Sequence, residues 1–456
     1  MRQFIPSPAD VRALARLAAP IATVQVGLML MGVVDTIVVG HVSAVELAAA
    51  TLGNLYVFGL SIAGIGTLFG LDPLIAQAVG ARDRDALVLG VQRGQALAFV
   101  LGVLATIACL AAGPVFALLR QPPEVVPRAA AFVHWSAPGI IPMLMFVATR
   151  QCLQAMQVTR PILWTIAGAN LVNLAGNYVF VFGHFGQPAM GSSGSALAST
   201  ISRFMMFLAL VLLSWRTLGP LLVPARRAAF APGPVMRTLR IGLPAGLQMS
   251  IEYSTFAAIS VLAGWFGPEA MSGHQVALNL SSLTFMVPAG IGAAASVLVG
   301  HAIGEGDSAH ARRVAASAIL LGAGFMSLCA LVMLLVPSPF AHLYSSVPGV
   351  TAVAVVLIPI AGIFQVFDGL QAVCAGILRG AGDTFAAMLA NVLGFWLIGT
   401  PVSLWLGFGA KLGVVGLWWG FVAGLVAVAA FLLLRVRVRL GGTLERVRVE
   451  AHTTTH

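Results

Sequence analysis

Long apolar runs separated by short polar, Gly or Pro punctuation divide this sequence almost from end to end. We read twelve of them, at 13–39, 46–76, 86–112, 130–150, 161–183, 192–215, 241–266, 275–300, 314–336, 350–377, 386–409 and 412–434. About 20 consecutive apolar residues suffice to cross a bilayer as a helix. Each run is therefore expected to be a transmembrane helix, and the chain an all-α membrane protein. Runs longer than about 25 residues predict tilt or kinks at internal Gly and Pro rather than extra spans.

Polar positions inside those runs carry the chemistry. Glu252 stands near the middle of the seventh run, where a charged side chain costs roughly 2.5–3.5 kcal/mol on insertion scales. It lies ~18 Å beyond Arg240 at the inner end, and Asp368 in the tenth run lies ~17 Å from Arg379, at ~1.5 Å per helical residue. In a core of ~30 Å both carboxylates fall near the midplane. Two carboxylates with neighbouring neutral oxygens suit a hard cation such as Na+, and protons compete for the same oxygens. The first half has its own set. Asp35 lies ~28 Å beyond Arg16, while Asn173 and Asn177 lie ~20 and ~26 Å beyond Arg160. The asparagines are one helical turn apart, so they share a face. They read either as a proton-switched network with Asp35 or as hydrogen-bonding glue between helices.

Other positions are softer candidates. Gln275 and Asn279 are one turn apart on the eighth run. Asp72, before Pro73, suits either an inner mouth or a cap on a kinked helix. Met249, Tyr253, Phe256, Phe285, Met286 and Phe364 offer adaptable, polarisable walls for a promiscuous substrate cavity, with packing as the plainer reading.

Composition agrees: 59% of the 456 residues are hydrophobic and only 9% are charged, which no soluble domain of this length shows. The net charge of +10 is a topology signal. All but four of the 25 basic side chains fall at the N-terminus, in the even-numbered loops or in the tail; the exceptions are Arg120, Arg128, Lys411 and, within a span, Arg203. By the positive-inside rule both termini, from Arg2 to Arg448, and the loop 216–240 face the cytoplasm. The N-terminus lacks a small-residue cleavage site and reads as a retained cytoplasmic segment. Arginines dispersed in this way do not form a nucleic-acid surface. The four cysteines show neither metal-ligand spacing nor a disulfide framework. No ATP-binding loop is present, so the expected energy source is an ion gradient, without any cofactor.

The chain also repeats itself. LARLAAP (14–20) parallels LRIGLP (239–244), AQAVGARD (76–83) parallels GHAIGEGD (300–307), and Gly191–Gly194 parallels Gly413–Gly416. Six spans per copy give both copies the same orientation, a parallel repeat about an axis along the membrane normal. The expected organisation is an N-terminal six-helix lobe at 1–215, a linker at 216–240, a second lobe at 241–440 and a cytoplasmic tail at 441–456.

VDTIVVGHVSAVELAA (34–49), NYVFVFGHFGQPAMGSSG (177–194), GHQVALNLSSLTFMVPAGIGAAASVLVGHAIGEGD (273–307) and FQVFDGLQAVCAGILRGAGDT (364–384) resemble the multidrug and toxic compound extrusion transporters, most of all their NorM-like bacterial branch. The resemblance implies export of organic cations and amphipathic drugs in exchange for Na+ or H+. By position, Glu252 and Asp368 match that branch's second-lobe cation site, and Asp35, Asn173 and Asn177 its first-lobe polar cluster. Phe364 departs from relatives with a tyrosine there, which removes a possible ligand. A flippase for lipid-linked oligosaccharide precursors would need a cationic cavity, yet the mid-membrane charges are acidic apart from Arg203. A facilitator for other metabolites would carry a glycine–acid–arginine signature after the second span, from which GARDRDALVLG departs. The expected protein is a monomeric, multi-pass exporter of the bacterial inner membrane and not an enzyme.

Overall fold

The apolar runs leave the backbone no polar partner except itself, and the chain answers with helices. A computed structural model of the protein describes residues 6–447, and no strand occurs among them. Arg2, Arg448 and the tail from 448 onward lie outside the described residues. Eleven helices are long and apolar enough to cross a membrane: α1 (Pro8–Gly40), α2 (Ala44–Gly80), α3 (Arg84–Cys109), α4 (Val126–Ala155), α5 (Arg160–Phe182), α6 (Ser192–Leu213), α8 (Pro268–Glu305), α9 (Ser308–Leu335), α10 (Pro348–Gly380), α11 (Thr384–Gly409) and α12 (Gly413–Gly441). The other expected span, α7 (Pro232–Gly264), is 33 residues long. Its basic N-terminal end and polar middle, with Gln248, Ser250, Glu252 and Ser254, set it apart from the rest.

The helix ends follow local chemistry. The Asp83 carboxylate accepts the Ala86 N–H at 3.0 Å at the start of α3, and Asp307 accepts the His310 N–H at 2.8 Å at the start of α9. These are matching residues of the two sequence copies. Each cap satisfies an N–H that the helix leaves without a partner. Each copy then places a short helix after its third span, Ala112–Leu118 and Pro337–Tyr344. The run expected at 46–76 is interrupted, with a turn at Phe69–Gly70 separating Ala44–Leu68 from Leu71–Gly80. The segment expected as a loop at 216–240 is mostly ordered into a helix, Trp215–Leu222, a short turn, Arg227–Phe230, and the first turns of α7.

The described chain forms two compact units: residues 23–79 with 83–246, and residues 6–22 with 80–82 and 247–447. The division does not follow chain order, because α1 changes unit after Ala22 and α7 after Gly246. Each crossing follows a proline inside the helix by two residues, Pro20 and Pro244. The second unit's core packs Leu14, Leu17 and Ile21 with residues of α8, α10 and α12. Small residues bring its helices close. A Cβ added at Gly376 of α10 would meet the carbonyl oxygen of Gly292 of α8 at 2.1 Å. Backbone thus rests on backbone, as small residues allow in membranes.

Candidate functional site

The candidate residues fall into two polar clusters, one in each unit. In the second unit, α7 presents Glu252, α10 presents Asp368 and Gln371, and α11 presents Asn391. The Gln371 side-chain N–H donates to Glu252 Oε2 at 3.0 Å, and Asn391 donates to the same oxygen at 3.4 Å. Asp368, 5% exposed, lies one turn before Gln371 and close enough to interact electrostatically with Glu252. Another turn back, Gln365 Oε1 accepts the Thr284 hydroxyl of α8 at 2.6 Å. The spacing 365, 368, 371 puts these side chains on one stripe of α10.

The Gln371 and Asn391 amides turn their donors toward Glu252, which leaves oxygens over, while Gln365 Nε2 is itself buried without a hydrogen-bond partner. Asp368 Oδ1, Gln371 Oε1 and Asn391 Oδ1 are buried with no hydrogen-bond partner. Buried polar atoms are ordinarily satisfied, so such a set requires an explanation. Hard oxygen donors, one from the Asp368 carboxylate and two from amides, with the Glu252 carboxylate beside them, fit a small cation of the Na+ class or a proton. Among the described residues no group of three or more His, Cys, Asp or Glu forms a metal cluster. A cation here would be held by two carboxylates and neutral amide oxygens. Asn391 immediately precedes wide π-type turns over Val392–Gly399, where the Thr400 N–H bonds back to Phe395. Such turns inside α-helices recur at functional positions.

In the first unit, Asp35 of α1 gathers side chains from α5 and α6. Its Oδ1 accepts Asn173 Nδ2 at 3.0 Å and Asn177 Nδ2 at 2.7 Å, and its Oδ2 accepts the Ser199 hydroxyl at 2.6 Å. Arg203, one turn beyond Ser199, lies within electrostatic reach of Asp35. The two asparagines are fully buried, with their carbonyl oxygens unpartnered. The sequence groups Asp35, Asn173 and Asn177, and the structure brings these three together. Asp72 is buried apart from them and accepts Gln151 Nε2 at 2.8 Å.

The softer candidates divide. Gln275 and Asn279 are exposed and stand outside the Glu252 hydrogen bonds. Met249, Tyr253, Phe285 and Met286 are half-buried. Phe364, 1% exposed, sits in an aromatic core where its ring centroid is 6.1 Å from Phe256, 5.2 Å from Phe421 and 5.5 Å from Trp418. It is packing in this structure. Gln371, Asn391 and Ser199 were not singled out from the sequence. For Gln371 the signal was available in its three-residue spacing from Asp368; Ser and Asn in helices are too common for the other two to stand out.

The comparisons with known proteins agree with this architecture. A family model described as MatE matches residues 20–179 and again 244–405, one match per sequence copy. Multidrug resistance protein NorM of Burkholderia vietnamiensis is 35% identical over 442 residues, 95% of this chain and 95% of the relative. Multidrug resistance protein MdtK of Edwardsiella ictaluri is 32% identical over 440 residues, 94% of this chain and 95% of the relative. Among solved structures, the eukaryotic MATE transporter AtDTX14 superposes with a TM-score of 0.86 at 22% identity, over 96% of this chain and 99% of that one. At that identity the superposition speaks for the fold.

Proposed function

From the premise that this chain belongs to the MatE family, we propose that it is a multidrug efflux antiporter, exporting cationic amphipathic compounds in exchange for Na+ or H+ by alternating access. The observation that carries this reading is the Glu252–Asp368 pair, with three buried oxygens left without partners in the middle of apolar helices. Groups of this kind inside a membrane are costly and mark ion or substrate pathways. Glu252 and Asp368 would take the coupling ion, with Gln371 and Asn391 orienting Glu252 and lending their carbonyl oxygens. Asp35, held by Asn173, Asn177 and Ser199, would be a second protonatable position. The carboxylates attract a delocalised organic cation without imposing the fixed geometry of a hydrogen-bond cage, which accounts for a broad substrate range. We further place the protein in a bacterial inner membrane with both termini cytoplasmic, working as a monomer.

The test is efflux of a fluorescent cationic dye from proteoliposomes under an imposed Na+ gradient, then under an imposed proton gradient. Dye movement driven by either gradient is expected, with loss of that drive in Glu252→Gln and Asp368→Asn. Gradient-driven transport at wild-type rate in both variants would remove the site assignment.

A further inference from the structure

Gln92 and Arg93 of α3 are 4% and 2% exposed, yet they belong to neither polar cluster. Both point at the segment that joins α6 to α7. The Gln92 amide donates to the Leu221 carbonyl at 3.0 Å and to the Pro224 carbonyl at 2.9 Å, while its Oε1 accepts the Arg226 N–H at 2.8 Å. Arg93 Nε donates to the Ala229 carbonyl at 3.1 Å. Arg226 also closes onto Asp85 at 2.6 Å. A surface connection ordinarily leaves such groups to water and stays mobile. Here buried side chains take their place, so residues 221–229 hold one shape.

The stretch 215–230, which contains this fixed segment and the helix Trp215–Leu222 leading into it, has an amphipathic outer face. Leu218, Leu221 and Ala229 are buried against the unit. Outward stand Trp215, 50% exposed, and Phe230, 50% exposed, together with the exposed Arg216 and Arg227. Neither of these arginines has an ion-pair partner among the described residues. The segment begins directly after a span, at the level where Trp rings settle at a membrane–water boundary. Basic residues there are attracted to anionic lipid headgroups.

We propose that residues 215–231 form a preorganised platform for anionic phospholipid headgroups of the cytoplasmic leaflet, with Trp215 and Phe230 in the interface and Arg216 and Arg227 on the phosphate. This rests on the cytoplasmic placement proposed above. A segment already ordered loses less freedom when a headgroup binds, so its affinity exceeds that of dispersed surface charge. Lipid recognition is thus tied to shape and not to net charge alone.

The experiment compares full-length protein in nanodiscs of phosphatidylcholine with and without phosphatidylglycerol, counting retained phosphatidylglycerol by native mass spectrometry. The double variant R216A/R227A should weaken retention by about fivefold per arginine removed. The variant R12A/R437A, which removes the same charge elsewhere, should retain lipid as the wild type does. Gln92→Ala, with all arginines present, should lose retention because the platform is released. Equal losses in both arginine pairs would reduce the effect to charge and overturn the proposal, as would no loss in R216A/R227A. That comparison decides the matter even if Gln92→Ala does not fold. Labelling of an Ala225→Cys variant by an impermeant maleimide in everted but not right-side-out vesicles checks the placement separately.

Discussion

Gln371 of α10 donates its side-chain N–H to Glu252 Oε2 of α7 at 3.0 Å, and Asn391 approaches the same oxygen at 3.4 Å. Neutral amides, with no basic side chain, make the observed hydrogen bonds to this carboxylate. The carboxylate is therefore oriented without a fixed counter-charge, and in the proposed exchange it would be available to a mobile cation. Replacing it by Gln keeps the shape and removes the charge. We expect Glu252→Gln to reduce gradient-driven dye efflux at least about tenfold, with unchanged membrane insertion; a tenfold effect corresponds to about 1.4 kcal/mol. Rates in proteoliposomes check this.

Gln371 acts through Glu252, so its loss should act on ion dependence. A hydrogen bond to a charged group contributes about 1.5–3 kcal/mol. Gln371→Leu is expected to raise the ion concentration giving half-maximal transport by about tenfold or more, while Gln371→Asn retains part of the wild-type response. A merely structural role would lower the maximal rate and leave the half-maximal concentration unmoved.

Asp35 is held by donors from Asn173, Asn177 and Ser199. Asp35→Asn fixes the position in an uncharged form at every pH. The variant should lose the part of the pH profile that arises from Asp35 and resemble, at high pH, the wild type at low pH. Transport measured at a series of pH values under constant driving gradient tests it, and a superimposable profile would make Asp35 structural.

Gly376→Ala probes packing. The added Cβ would stand 2.1 Å from the Gly292 carbonyl oxygen, a contact that only backbone movement relieves. Overpacking typically costs about 1–3 kcal/mol. A lower melting temperature in detergent is expected, together with weakened ion response, because α8 and α10 carry Thr284 and Asp368.

Much of this was legible from residue order. Continuous apolar runs admit only helices in lipid, and lone acids within them are too costly to be incidental, so the spans and Glu252, Asp368 and Asp35 stood out. The amides did not. Gln371 and Asn391 are ordinary helix residues until tertiary packing turns them onto one oxygen. Gln275 and Asn279 share a face, but helix periodicity does not say which face meets the cluster; both are exposed. Phe364 lies one turn from Asp368 yet points into the aromatic core. The segment after α6 looked like a linker because its Pro and Arg content hides a clamp supplied from far away by Gln92 and Arg93.

Gly292 and Gly376 have one more implication. Main chain pressed on main chain leaves no side chains between the two helices to repack, so we expect α8 and α10 to move together as a single strut. In the proposed cycle, exposure of the Glu252 site to one side of the bilayer or the other would then fall to α7 with its internal Pro244 and α11 with its widened turns. Inhibitors that wedge against those two helices, and not against the strut, are the ones expected to arrest the cycle.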